Sequence, residues 1–253
     1  MSVDQLRKDP PSTEPGCAAA IIFAVAIEAD AFARQAAEPR EVLADGLTFR
    51  EGTVAGRRIA WCVAGIGGGA AARAAQRLVD GHRPRVLVSA GFAGGLDPAL
   101  GRGIVARATR VVAADGGRPL RLGDHAVAAP LTIVTVDRVV RTAVAKRELA
   151  ARCGAHLVDM ETHAVADIAA ANGLSCLSVR VISDDAAHEL PAEITRLAAP
   201  QSPLRRLGAA VGAIGRRPSA AVDLWRLWEH AVVDGRTLAG ALVESIAALP
   251  DDS

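Results

Sequence analysis

Tyrosine is absent from this chain, which carries only four phenylalanines and three tryptophans. A surface that stacks successive bases of a single strand needs aromatic side chains, so that mode of nucleic-acid binding is excluded. Net charge is missing too: 29 basic residues against 28 acidic ones leave +1, no electrostatic footprint for DNA or RNA. Cys17, Cys62, Cys153 and Cys176 lie far apart with no C-x-x-C spacing, which speaks against metal or redox chemistry. Buried thiols in a reducing compartment are the expectation. The longest apolar run, Cys17 to Ile27, is too short to span a bilayer. The stretch before it, Arg7 to Gly16, is mixed in charge and rich in proline, unlike a signal peptide. Residues 1–18 are therefore expected to form a disordered tail, and the protein to be cytoplasmic.

What the chain has in abundance is apolar surface, 51% of residues, much of it alanine. Alanine combines the best helix propensity with little bulk, which suits helices packed closely on a sheet. Strand and helix patterns alternate for most of the length. Ala19–Ala26 reads as a buried strand and Glu28–Ala37 as a helix; Leu47–Thr53 and Arg58–Val63 read as paired strands. Ala70–Asp80 is a helix and Arg85–Ser89 a strand. Gly103–Ala114 and Leu131–Val136 are strands, Asp137–Arg152 a helix and His156–Asp159 a short strand. Glu161–Ala171 is a helix and Ser175–Ile182 the last strand. The expected fold is a single α/β domain over residues 19–190, with a mixed, mostly parallel central sheet flanked by helices. Residues 191–253 form a C-terminal helical extension, with helices over Pro203–Gly215 and Ser219–Ala248. Arg205, Arg206, Arg216 and Arg217 gather there near Trp225 and Trp228. The extension reads either as a cap or as a basic amphipathic face for peripheral membrane contact.

Three features follow strand ends, where open α/β sheets place ligands. Gly65-Ile66-Gly67-Gly68-Gly69-Ala70 fits the dinucleotide pattern G-x-G-x-x-A. That pattern also needs an acidic residue closing the next strand, and Ser89-Ala90-Gly91-Phe92 stands there instead, which disfavours a nicotinamide-dependent oxidoreductase. Gly91-Phe92-Ala93-Gly94-Gly95 is a tight glycine turn. Val158-Asp159-Met160-Glu161 and Arg180-Val181-Ile182-Ser183-Asp184-Asp185 each set carboxylates at the end of an apolar strand, either capping a helix or serving a ligand.

Ala24-Val25-Ala26-Ile27-Glu28, Gly65-Ile66-Gly67, Gly91 to Leu96, Val158 to Glu161 and Arg180 to Asp184 resemble, in order and spacing, the nucleoside phosphorylase superfamily. Within it they are most similar to methylthioadenosine/S-adenosylhomocysteine nucleosidases. Leu190-Pro191, Arg216-Arg217-Pro218, the closing helix and Thr162-His163-Ala164-Val165-Ala166 look like the hopanoid-associated phosphorylase family. That resemblance implies release of adenine from adenosylhopane, a lipid-linked nucleoside, by an enzyme that needs no metal or organic cofactor. It also implies a homo-oligomer.

The roles that the resemblance implies are specific. Asp184 is the general acid for the departing base, with Asp185 as the neighbouring alternative; such an acid contributes ~10²–10⁴-fold. Glu161 accepts hydrogen bonds from ribose hydroxyls and Met160 packs on the sugar. Glu28 activates the attacking water, unless it is merely a helix N-terminal carboxylate. Arg180 orients that water or binds an anion; Ser183 keeps the register, and the backbones of Gly65, Gly67 and Ala93 line the pocket.

Two positions depart from the pattern. Phe92 stands where many relatives carry a hydroxyl that touches phosphate or the water, which weakens phosphate as a co-substrate. Val139 replaces an aromatic residue, implying a wider pocket suited to a bulky apolar 5′-substituent. A methylthioadenosine/S-adenosylhomocysteine nucleosidase is the alternative enzyme, and a non-catalytic nucleoside-binding module the alternative of another class. The presence of Glu28, Glu161 and Asp184 together argues against the module. On this reading Asp184→Asn abolishes base release and leaves folding largely intact, a comparison of turnover with thermal melting.

Overall fold

The computed structural model describes residues 16–123, 130–190 and 219–250. In chain order the elements are β1 (Ala19–Phe23), α1 (Ala26–Ala33), β2 (Ala37–Ala44), β3 (Leu47–Val54), β4 (Arg57–Val63), α2 (Gly68–His82), β5 (Val86–Gly95), β6 (Val105–Ala113) and β7 (Leu120–Arg121). They continue with β8 (Leu131–Thr135), α3 (Ala143–Cys153), β9 (Leu157–Asp159), α4 (Thr162–Ala171), β10 (Ser175–Asp184) and α5 (Ser219–Ala247). The expected helix over Pro203–Gly215 and the arginine cluster lie outside the described residues, as do residues 1–15.

One sheet runs through the molecule in the order β10-β6-β8-β9-β5-β1-β4-β3-β2. Because β10 also pairs with β5, strands β5, β10, β6, β8 and β9 close into a ring. Among the described residues, five of the ten pairings are parallel and five antiparallel, so parallel pairing is less dominant than expected. The β2–β3–β4 meander supplies two of the antiparallel pairs through tight turns, a connection available only to antiparallel neighbours.

Strand β2 gave no sequence signal because all eight of its residues are exposed, leaving no buried face to create alternation. Its Pro39 is tolerated at a sheet edge, where a missing N–H breaks no internal ladder. Helix α3 starts at Ala143 rather than Asp137, with the Thr142 hydroxyl accepting from the Ala145 amide 3.2 Å away. The six residues before it form neither helix nor strand, and Val139 and Val140 among them line the cavity.

Helices cover both faces of the sheet. Helix α2 presents Ala71, Ala74, Ala75 and Leu78 to one core, where Val165, Ala166 and Ala169 of α4 join them. On the other face α1 and α5 bury Phe32, Leu238, Leu242 and Ile246. Phe32 sits between Phe23 and Trp61, with ring centroids 5.8 and 5.7 Å away, the second contact edge-to-face. Such contacts add to ordinary apolar burial, and they fix the rotation of α1 and hence the direction of Glu28, one turn earlier. Cys17, Cys62 and Cys176 are buried, and burial pushes the Cys62 and Cys176 thiols up to about 12. Among the described residues no helix is long and apolar enough to cross a membrane.

Helix α5 crosses α1 closely enough that a Cβ at Gly235 would fall 2.8 Å from the Ile27 carbonyl oxygen. Glycine to alanine inside a helix ordinarily stabilises by about 1 kcal/mol. Here the added methyl forces the two helices apart, and overpacking costs about 1–3 kcal/mol. Gly235→Ala is therefore expected to lower the urea midpoint, and an unchanged or raised midpoint would show that α5 is not held at this crossing.

Candidate active site

The ends of β1, β5, β8, β9 and β10 converge on a cavity of about 320 Å³. Its wall contains Glu28, Asp159, Glu161 and Asp184 from strand ends and helix starts, with Met160, Ser183, Phe92 and Ala93 between them. Val136, Val139, Val140 and Leu190 supply an apolar side, and α5 contributes His230, Ala231 and Asp234. Among the described lining residues there is no lysine or arginine.

Glu28 is 5% exposed. Its Oε2 accepts from the amides of Ala24 (2.9 Å) and Val25 (3.0 Å), and its Oε1 from the Phe92 amide (2.9 Å). The carboxylate thus caps its own helix and also links that helix to β5, so the helix-start role and a place on the cavity are both real. Burial pushes it above the usual carboxylate range, against the pull of those three amides and of Arg180. Gly91 is what permits the approach: a Cβ there would lie 2.6 Å from Glu28 Oε1 and 2.6 Å from Arg180 Nη1.

Glu161 stands at the N-terminus of α4, and its Oε1 accepts from the Gly67 amide at 2.8 Å. Gly67 adopts φ +99°, in the region that favours glycine, and so aims its N–H at the carboxylate. Burial, and then the adjacent Asp159 carboxylate, push Glu161 up to about 7. Asp159 is itself engaged by the Thr135 hydroxyl (2.7 Å), the Thr162 amide (2.9 Å) and Arg180 Nη2 (2.6 Å). Arg180 is 1% exposed and also reaches the Ser89 and Thr162 hydroxyls. It is not among the lining residues of the cavity, but its Nη1 lies on the Glu28 side, where a Cβ at Gly91 would meet both groups. Gly65 and Gly67 likewise stand behind the lining residues, Gly65 donating to the Ala24 carbonyl, while Ile66 between them faces the cavity.

Asp184 lines the cavity; Asp185 does not. The Asp185 carboxylate instead accepts from the amides of Ala187 (3.0 Å) and His188 (2.8 Å), closing its own turn. Asp184 Oδ1 accepts from the Ser183 hydroxyl at 2.8 Å, and Oδ2 pairs with Lys146 Nζ at 2.5 Å. Lys146 comes from α3, is fully buried, and was invisible to motif reading. The available signal was its place on an apolar stripe with Leu149 and Cys153, where an exposed lysine is out of pattern. Asp234, His230 and Arg102 were also missed. Asp234 is 2% exposed and pairs with Arg102 at 2.7 Å, tying α5 to the β5–β6 loop. Among the described residues no three His, Cys, Asp or Glu side chains are grouped to hold a metal ion.

Strand ends that converge on a partly apolar cavity lined by carboxyl groups, two of them raised above the usual range, form a site of the enzyme kind, suited to proton-transfer chemistry. The chain belongs to the Phosphorylase superfamily, whose sequence profile it matches over residues 18–132 and 126–205. It is an enzyme of the nucleosidase or nucleoside phosphorylase kind. Its fold is similar to the 5′-methylthioadenosine/S-adenosylhomocysteine nucleosidase of S. pneumoniae, solved with the transition-state inhibitor MT-ImmA. There the identity is 19% over 92% of this chain and 99% of that one, with a TM-score of 0.70. The S-adenosylhomocysteine nucleosidase of Streptococcus pyogenes gives 17% identity over 95% and 100% of the two chains, and a TM-score of 0.71. Futalosine hydrolase of Helicobacter pylori gives 17% over 89% and 97%, and 0.66. No curated protein matches the chain in sequence.

The Lys146–Asp184 pair changes one expectation. Asp184→Asn leaves a buried ammonium without its countercharge, and breaking a buried pair from one side costs about 3–5 kcal/mol. That variant is expected to unfold at markedly lower urea, and Lys146→Met combined with Asp184→Asn to recover much of the loss. Equal midpoints for Asp184→Asn and wild type would show the pair to be energetically idle.

Proposed function

We propose that this enzyme hydrolyses the N-glycosidic bond of an adenine nucleoside carrying a bulky apolar 5′-substituent, with adenosylhopane as the substrate. The observation that carries the hydrolytic part is the charge of the cavity wall. Glu28, Asp159, Glu161, Asp184 and Asp234 face it and no described cation does. An inorganic phosphate entering that wall finds no described lysine or arginine in the lining to pair with, whereas neutral water needs none. The same wall suits a transition state in which positive charge builds on the ribose.

Three of these carboxylates have a task in this reading. Asp184 gives its proton to the base as the bond to C1′ breaks. Glu161 accepts hydrogen bonds from the ribose hydroxyls, beside Met160. Glu28, held at three amides, takes a proton from the water that attacks C1′. The apolar wall of Val136, Val139, Val140 and Leu190 supports an apolar substituent; the valine at 139 leaves room that an aromatic ring would fill. Peripheral contact with a membrane through the C-terminal segment, a cytoplasmic location and assembly into homo-oligomers belong to the same reading.

Adenine release from adenosylhopane and from methylthioadenosine, each with and without phosphate, tests it. Release from adenosylhopane at a rate indifferent to phosphate is expected. Strict dependence on phosphate would make the enzyme a phosphorylase, and faster release from methylthioadenosine would remove the apolar substituent from the assignment.

The titration of Glu161 gives a second test. Its proton is held up to about pH 7 in the free enzyme, and hydroxyl donors favour the ionised form. Nucleoside binding therefore expels that proton, and affinity rises with pH up to about 7 and levels off above it. The slope is at most about tenfold per pH unit, as for any single linked proton. Calorimetry in buffers of different ionisation enthalpy reads the released proton directly; no proton release at pH 6 would separate Glu161 from the ribose.

A further inference from the structure

Lys146 is a fully buried cation beside the reaction cavity that nothing so far has given a task. It does not line the cavity; it reaches Asp184 from behind. Its ammonium has three hydrogens and three acceptors: Asp184 Oδ2, the Asp185 carbonyl and the His188 carbonyl, the last at 3.2 Å. With every donor in use, the ammonium cannot turn away from Asp184, and the segment 184–188 wraps around it. The second oxygen of Asp184 is held by Ser183, so the carboxyl group has its orientation fixed at both ends.

Burying an ammonium costs several kcal/mol, which its partners must offset. A neutral donor would pin the same carbonyls without that cost. What a neutral donor cannot do is stabilise a negative charge that grows on Asp184 during reaction.

We propose that Lys146 is the positioning residue of the acid: it fixes Asp184 towards the departing base and stabilises the carboxylate left when the proton has moved. The inference rests on the N-glycosidic hydrolysis proposed above. In the step itself, which starts from the form in which Asp184 has taken up a proton beside the Lys146 ammonium, the C1′–N bond breaks and its electron pair passes to the base, which takes that proton from Asp184. Water adds its hydroxyl to C1′ and gives its proton to Glu28. That proton returns to Asp184 through solvent, so the enzyme is restored with no other reactant.

The test compares two leaving groups. Adenine departs with protonation; p-nitrophenolate departs from p-nitrophenyl riboside without it. In Lys146→Met, kcat for adenine release is expected to fall about 100-fold, the size of loss that misplacing a reacting group produces. KM for the nucleoside should stay within a few-fold. Turnover of p-nitrophenyl riboside should fall far less, and it reports at the same time that the cavity is folded. Lys146→Arg keeps the charge with a different shape and is expected to recover part of the adenine rate. It also carries the same comparison if the methionine variant does not fold.

Adenine release unchanged in Lys146→Met overturns the proposal, as does an equal loss for both leaving groups in whichever variant folds. Wild-type protein that releases no base from any nucleoside overturns the hydrolase reading, and this proposal with it. Wild-type release with no split between leaving groups overturns this proposal alone.

Discussion

A guanidinium buried inside a closed ring of strands must find a carboxylate, and the pair of Arg180 with Asp159 is the constraint on which the rest of this site depends. Arg180 lies in the middle of β10 and Asp159 at the end of β9, two strands of the same ring. Their contact recruits Ser89 from β5, Thr162 from the start of α4 and Thr135 from the end of β8. Five elements are therefore fixed relative to one another by one ion pair and its hydroxyl partners. A pair this deep adds less stability than its Coulomb energy suggests, because both ions lose their hydration. Its effect is geometric: it sets where Met160 and Glu161 emerge from β9 and where Asp184 ends β10.

The placement of charge follows from that arrangement. Carboxylates face the cavity, while Arg180 and Lys146 stand behind them, each paired to an aspartate. The cations keep the acidic wall from repelling itself apart, yet leave the inner surface lined by carboxyl groups. Where compensation is incomplete the carboxylates resist ionisation. Glu28 is raised by burial although three amides and Arg180 pull the other way, and Glu161 is raised by burial and by Asp159 together. Perturbed acids grouped in a concave, partly apolar cavity are what proton-transfer chemistry requires.

Much of this was legible in the residues themselves. β1 reads as an unbroken apolar run because a strand covered on both faces needs apolar residues at every position. The alanine stripe of α2 and the glycine turn between β4 and α2 are equally local signals, whereas Gly91–Gly95, expected as a tight turn, continues β5 to its end. β2 was not legible, since an edge strand exposed along its whole length carries no alternation. Nor was the start of α3, where Val139 and Val140 continue the apolar pattern of a helix while serving as cavity wall. Lys146 was hidden for a different reason. A lysine in a helix is ordinarily solvated, and only the approach of a segment nearly forty residues away makes it a buried partner.

Apart from β2 and β7, the sequence by itself determined the order of strands and helices and the identity of the residues at strand ends. Those follow from local periodicity and from backbone conformations that only glycine tolerates. It also brought Glu28, Glu161 and Asp184 into consideration, since their neighbours form recognisable patterns. Tertiary structure alone decided which atoms face the cavity. It turned Asp184 inward and Asp185 onto its own turn, kept Arg180 out of the lining and brought α5 across to line one side. The reason is that burial and ion pairing are set by contacts between distant segments, and no local pattern records which charge will lose its water and which partner will replace it.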